Sequence, residues 1–215
     1  MVRGDAGTLH DRPIEPEARV EVLQINRAAV VLGSTQSFDI VNGDRAKARG
    51  FDVVRRRSGG GVVILQPLDH LWIDVTVPRG HALWSDDVER ATWWLGEVWC
   101  AALQETTPDA RWSVHREKLV ATAPQRTVCF ASVGPGEVVR VDDDTSMHKA
   151  VGISQRRTKD AARFQCTVFH TVDFALYEDL MRESPPTSLA TAVGVGDELS
   201  DLAERVTGRL SASLD

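Results

Sequence analysis

The sequence predicts an α+β fold: a mixed, largely antiparallel sheet flanked by helices. Strand-length apolar runs recur along most of the chain, helical patterns are few and well separated, and no internal repeat or long linker divides the sequence. Residues 1–215 are therefore expected to form one domain. Residues 1–18 carry no clear periodicity and are expected to be a flexible N-terminal segment.

Taken in order, Arg19–Ile25 and Ala28–Gly33 read as two strands with a turn at Asn26-Arg27. Asp44–Gly50 reads as a short helix closed by glycine. Phe51–Arg56 and Val62–Gln66 are strands on either side of a glycine run. In Leu71–Val77, Leu, Ile, Val and Val alternate with Trp, Asp and Thr, as in a half-buried strand. Ser85 is placed to cap a helix over 86–103, with Val88, Leu95, Val98 and Ala102 on one face and two aspartates in its first turn. Strands are then expected over Lys118–Ala123, Thr127–Ser132 and Glu137–Val141. His148–Arg157 and Arg163–Val172 read as a strand pair joined by a polar turn. A helix over Asp173–Met181 is followed by a break at Ser184–Ser188. Gly196–Leu210 closes the chain as a helix with Leu199, Leu202, Val206 and Leu210 in one stripe.

The composition, 42% hydrophobic and 26% charged, is that of an ordinary soluble domain. A net charge of −6 argues against general binding to nucleic acid or an anionic membrane. No apolar run approaches the roughly 20 residues that span a bilayer, and the N-terminus has no secretory apolar core. Cys100, Cys129 and Cys166 are odd in number and scattered, with neither zinc-ligand nor disulfide-framework spacing. That usage fits a reducing, cytoplasmic setting.

Two segments stand out chemically. "RRRSGGG" (Arg55–Gly61) sets arginines beside a backbone without side chains. Successive glycine amides make an anion-binding concavity, and arginines add charge-assisted contacts to phosphate or carboxylate. The stretch is not a P-loop, because Gly-Lys-Ser/Thr is missing. The second segment, "HKAVGISQRRTKD" (His148–Asp160), places Lys149 in a strand followed by Gly152, Ser154 and Gln155.

Together these segments resemble the lipoate-protein ligase and octanoyltransferase family. "RRRSGGG" is similar to its Arg-Arg-x-Ser-Gly-Gly-Gly signature, "KAVGISQRRTKDAARFQCTVF" to its lysine motif, and "AAVVLGSTQ" to its strand ending in Gly-x-x-Gln. The resemblance implies the catalytic fold of biotin and lipoate ligases. It implies attachment of lipoate or octanoate, by an amide, to one lysine of a carrier. Carriers of this kind are the lipoyl domains of 2-oxoacid dehydrogenases and the glycine-cleavage H protein. Ligases first form an acyl-adenylate from ATP with Mg2+. Some transferases instead pass the acyl group through a cysteine in a loop comparable to that of Cys129, also followed by phenylalanine. A further alternative is a silent acyl-binding subunit.

The residues the resemblance assigns are Lys149 as the essential lysine, on a strand edge where its removal leaves the fold intact, and Cys129 as nucleophile in the transferase alternative. Arg56, Arg57, Ser58, Gly59, Gly60, Gly61, Gly152 and Ser154 would hold the acyl-adenylate phosphate. Gln36, Asp69, Glu137 and Gln155 are further candidates, Glu137 as a ligand for Mg2+. "VVIL" and "LWIDV" would line an acyl tunnel. The basic residues Arg55–Arg57, Arg156, Arg157 and Lys159 would attract an acidic carrier. The chain departs from many ligases in lacking the His-Asp and Gly-Asn pairs after the glycines. Gly136-Glu137 stands where ligases have Asn-Asp, and Gln165 where several have histidine. No C-terminal accessory domain is expected after the last helix; in some organisms that domain is a separate subunit.

Overall fold

The computed structural model describes residues 1–122, 124–185 and 192–214. Strand β1 (Val2–Gly4) and helix α1 (Ala6–Asp11) precede β2 (Arg19–Ile25) and β3 (Ala29–Leu32). Helix α2 (Gly43–Ala48), β4 (Asp52–Arg55), β5 (Val63–Leu65) and β6 (His70–Pro78) follow. Then come helix α3 (Trp93–Thr106), β7 (Trp112–Val114), β8 (Val138–Val141), β9 (Met147–Arg157) and β10 (Ala161–Phe169). Helices α4 (Phe174–Leu180) and α5 (Leu199–Leu214) complete the chain. No helix among the described residues is long and apolar enough to cross a membrane.

The large sheet has the order β1-β2-β6-β10-β9-β8-β7, and a small one the order β4-β3-β5. Among the described strand pairs only β1/β2 and β3/β4 are parallel, so the mixed, largely antiparallel class holds. Asn26-Arg27 is not a hairpin turn, because β2 pairs with β6 while β3 belongs to the other sheet.

Two cores result from period-two alternation in β6. Leu71, Ile73, Val75 and Val77 face α3 and α5, where Leu95, Trp99, Leu202, Val206 and Leu210 are buried. Trp72 faces the other way, into a core shared with the small sheet, α1 and α4. The strand expected to be half-buried is thus buried on both faces, Asp74 and Thr76 included.

Several elements differ from expectation. The N-terminal segment is not a loose tail: β1 pairs with β2, and Asp5 caps α1 by accepting from the Thr8 N–H at 2.8 Å. Leu9 is 1% exposed, and its burial fastens the helix. Helix α3 begins at Trp93 instead of after Ser85, because Asp87 accepts from the Glu89 and Arg90 amides and turns the chain before a 3-10 turn at Arg90–Thr92. Val88 lies outside the helix and is exposed. Thr127–Ser132 is 3-10 turns and no strand, joined to the small sheet only by the Val62–Val128 bridge. Lys118–Thr122 holds a single bridge, Val120–Val133, and Ala123 lies outside the described residues, as does most of the Ser184–Ser188 break. Strand β7 is too short and too polar at Ser113 to give a sequence signal.

Gly96 lets α3 approach the loop before β8. A Cβ there would sit 2.2 Å from the Gly136 carbonyl oxygen and 2.8 Å from Val114 Cγ1. Gly96→Ala forces backbone apart and is expected to cost about 1–3 kcal/mol, read as a lower denaturant midpoint with an unchanged slope.

Candidate active site

The glycine run and the distant lysine open onto one cavity of about 340 Å³. Gly59–Gly61 form one wall, and Lys149, Glu137, Cys129, Ser154 and Gln155 form the others. Backbone proximity creates this arrangement. A Cβ on Gly33 would lie 1.9 Å from the Gly60 carbonyl oxygen, and one on Gly61 would lie 2.6 Å from the Cys129 nitrogen. Gly60 turns the loop with φ +97°, a conformation open to glycine.

Arg56 borders the cavity, but its donors are turned to backbone carbonyls and away from a phosphate-binding role. It is 4% exposed, and its guanidinium donates to the carbonyls of Gly59, Gly61 and, at 3.4 Å, Val31. Its role is to fasten the glycine loop to β3. Burial lowers its pKa from the ordinary arginine value, without discharging it.

Lys149 is buried, and its ammonium contacts the Glu137 carboxylate at 2.7 Å, the Cys129 carbonyl at 2.8 Å and the Cys129 Sγ at 3.6 Å. The expectation of a strand-edge lysine dispensable for folding is corrected by this burial. Burial alone would lower its pKa, but the Cys129 sulfur and the Glu137 carboxylate outweigh it and raise the pKa. A register shift between Val138 and Val139 interrupts the β8–β9 ladder at this point. Lys149 and Gly152 would face opposite sides of a regular strand. The shift lets both face Phe130: Lys149 Nζ lies 5.1 Å from its ring, and a Gly152 Cβ would lie 3.2 Å from that ring and 3.5 Å from Lys149 Cε.

Beyond Cys129 the cavity narrows into an apolar channel of about 30 Å³, room for one or two waters. Val31, Val63, Leu65, Trp72 and Phe130 line it. Of the two segments expected to line a tunnel, Val62–Leu65 contributes Val63 and Leu65, while Leu71–Val75 contributes Trp72 alone, because Leu71, Ile73 and Val75 face the opposite core. Cys129, Arg56, Ile153 and Ser154 border both spaces.

The structure thus gathers Gly59–Gly61, Cys129, Glu137, Lys149, Ser154 and Gln155 around the open cavity, and Gly152 on the channel. Four expected residues lie elsewhere. Arg57 is exposed and pairs with Asp11 at 2.7 Å. Ser58 is buried behind the loop, 3.1 Å from the Ser154 hydroxyl. Gln36 braces backbone, accepting from the Gly33 N–H and donating to the Thr127 carbonyl. Asp69 lies beside His170 and Thr171, away from the cavity. The basic residues expected to attract a carrier are partly engaged: Arg55 lies over Phe38, and Arg157 donates to the Ser85 carbonyl and lies over Trp84. Lys159 is exposed.

Glu137 does not fit a magnesium ligand. Its carboxylate accepts from the Gly134 and Ile153 amides as well as from Lys149, and it is 6% exposed. Among the described residues no group of three or more His, Cys, Asp or Glu could hold a metal ion.

The sequence reading missed a buried polar cluster at the far end of the channel. Asp74 accepts from Trp72 Nε1 at 2.7 Å and from Gln165 Nε2 at 3.2 Å, with Arg163 Nε at 3.6 Å. Gln165 Oε1 lies 3.2 Å from His10 Nδ1. Cross-strand pairing of Gln165 with Asp74 sets this up. Asp74 in an apolar strand was the available signal; His10 lay in a segment without pattern.

The sequence profile of the family described as the lipoyl protein ligase A/B catalytic domain matches residues 8–208. The chain belongs to this family. Solved structures agree in fold. A bipartite lipoate protein ligase from Thermoplasma acidophilum, described with its E2 lipoyl domain, is 15% identical with a TM-score of 0.67, covering 97% of this chain and 76% of that one. A lipoate-protein ligase A bound with ATP is 17% identical, with a TM-score of 0.65 and coverage of 97% and 78%. A T. acidophilum protein with bound lipoic acid is 17% identical, with a TM-score of 0.63 and the same coverage. At these identities the likeness is one of fold. No curated protein matches the chain by sequence.

Burial also sets an acid dependence for this family member. It lowers the pKa of His10 to about 3 and of His70 to about 4, from 6.5. The stability these two confer is present above pH 6.5 and is lost as pH falls through their folded values. Burial raises Asp74 to about 6, so its contribution is present below 3.8 and lost as pH rises through 6. Two histidines oppose one aspartate. Unfolding free energy is therefore expected to fall as pH drops from 6.5 towards 4, by about one net proton or about 1.4 kcal/mol per pH unit. Denaturant titrations across that range check it, and His70→Phe should flatten the slope.

Proposed function

We propose that the protein attaches a lipoyl or octanoyl group, through an amide, to a lysine of a lipoyl-carrier domain, with lipoate activated by ATP as an acyl-adenylate. The observation that carries this reading is the convergence of three features. An amide-rich glycine wall and a buried ammonium share one open cavity, and that cavity leads into a slender apolar channel. An acyl chain would occupy the channel once lining side chains rotate, leaving its carboxyl at Cys129 and Lys149. The Gly59–Gly61 amides supply donors for the phosphate. Lys149 offsets charge that develops on the acyl oxygen and on the departing phosphate. The cavity's open side admits the carrier's lysine. The family's ATP-bound and lipoate-bound structural neighbours support these substrates. A lipoyl-domain partner, of a 2-oxoacid dehydrogenase or the glycine-cleavage H protein, is supported by the bipartite neighbour, and so is a separate accessory subunit.

A second reading is favoured by Cys129, whose sulfur borders both spaces 3.6 Å from Lys149. In that reading Cys129 displaces the thiol of an acyl-carrier thioester, holds the acyl group as its own thioester, and yields it to the carrier's lysine amine. No ATP or magnesium enters, in keeping with the committed Glu137.

Lipoate, ATP and magnesium with a purified lipoyl domain test the first reading by pyrophosphate release and by the mass of the carrier. Cys129→Ser is expected to retain near-normal activity by the adenylate route; complete loss, with an acyl adduct on wild-type Cys129, selects the thioester route. Lys149→Ala leaves a buried carboxylate unpaired and is expected to cost stability. Lys149→Met with Glu137→Gln keeps the site neutral, and its activity should fall by about 10²–10³. Turnover near wild type in that folded double variant would falsify the catalytic role of Lys149.

A further inference from the structure

The far end of the channel is not apolar. His10 lies there, 6% exposed, with its ring packed against Trp72 at 4.4 Å between centroids and tilted by 34°. Its backbone is fixed by Arg163, which donates to the carbonyls of His10 and Arg12 at 3.0 Å each. The tautomer follows from its neighbours. Gln165 turns its amide nitrogen to Asp74, at 3.2 and 3.4 Å from the two carboxylate oxygens. Its amide oxygen is therefore the atom 3.2 Å from His10 Nδ1. An amide oxygen only accepts, so Nδ1 carries the proton. Burial, with Arg56 nearby, keeps the ring neutral. Nε2 is then a bare lone pair, buried and without a hydrogen-bond partner among the described residues.

Resting on the reading of the channel as the acyl site, we infer that Nε2 receives a hydrogen-bond donor from the tail of the acyl substrate: a hydroxyl, or a thiol of a reduced dithiol. A plain alkyl end would press a methyl group against an unmet acceptor, and the oxidised dithiolane ring has no donor to offer. A buried polar group that must be paired discriminates strongly against the analogue that cannot pair it. Asp74, Gln165 and His10 form a chain whose orientation is set at one end by Trp72 and Arg163 and read out at the other by the ligand. Gln165 is the residue that selects an accepting Nε2 over a donating one.

The test is direct binding by calorimetry of four acids: octanoic, 8-hydroxyoctanoic, lipoic and, under reductant, dihydrolipoic. The hydroxy acid should bind at least tenfold more tightly than octanoic acid, and dihydrolipoic more tightly than lipoic. The dihydrolipoic arm separates a thiol donor from a hydroxyl. His10→Phe keeps an aromatic ring against Trp72 and should erase the preference while still binding octanoic acid. Gln165→Leu, which frees the tautomer, should reduce it. Equal affinities in the wild type, or a preference surviving in His10→Phe, would overturn the inference and leave the acyl-channel reading standing. Binding of none of the four overturns that reading and the inference with it. Nitrogen-15 NMR of wild-type His10 gives an answer independent of the variants. An unprotonated Nε2 that shifts on addition of the hydroxy acid is expected; a protonated one refutes the assignment.

Discussion

Arg56 holds the site together from inside the protein. A guanidinium cannot be discharged, so burying one demands that its donors be met. Here they are met by carbonyls of β3 and of the loop that follows Arg56 itself. The loop cannot lift away without stranding that charge. Its glycines then touch backbone on both sides, Gly60 against Gly33 and Gly61 against Val128 and Cys129. The position of Cys129 is therefore a consequence of how Arg56 is satisfied, and so is the width of the passage between the open cavity and the channel.

The second buried cation is treated differently. Lys149 meets an acid, and Glu137 is in turn held by two amides. A buried pair of this kind gives little net stability, but loss of either partner is costly. The pair fixes one ammonium at the channel mouth beside a sulfur, an arrangement a mobile surface lysine could not keep. Gly96 enters the same account from a distance, since close approach of α3 to Gly136 positions the loop that carries Glu137.

Sequence reading recovered what local pattern encodes. The strand at Leu71–Val77, though not the burial of its polar face, the β9–β10 pair and the Leu202-Val206-Leu210 stripe all read correctly, because each repeats a side-chain period. The glycine loop and Lys149 were legible as a motif. Failures share a cause in long-range contact. Nothing in residues 1–18 shows that Leu9 is buried by the small-sheet core and that His10 ends in a channel. Nothing local to Thr127–Ser132 shows that its Thr127 carbonyl accepts from the Val62 N–H and its Cys129 N–H donates to the Val62 carbonyl, so its β-branched and aromatic residues read as a strand. Arginine in "RRRSGGG" suggested phosphate binding by chemistry, but Arg56 and Arg57 were assigned by the fold to loop scaffolding and to a surface ion pair.

The two ends of the binding space solve opposite electrostatic problems. At the mouth, where the reacting groups of the proposed transfer would develop negative charge, stand a fixed ammonium and the glycine loop, and Glu137 offsets the ammonium so that its burial is tolerated. At the far end a charge would repel an acyl tail. There the cluster holds Asp74 against Arg163 and presents two uncharged side chains, His10 and Gln165, to the channel. β10 carries both halves of that solution: Arg163 and Gln165 point to the same face because they are two residues apart, and the strand's other face is given to the core through Phe164 and Cys166. One strand therefore sets the polarity of this end of the channel and anchors the packing behind it, so that in the proposed acyl site the choice of tail and the stability of the large sheet both depend on β10.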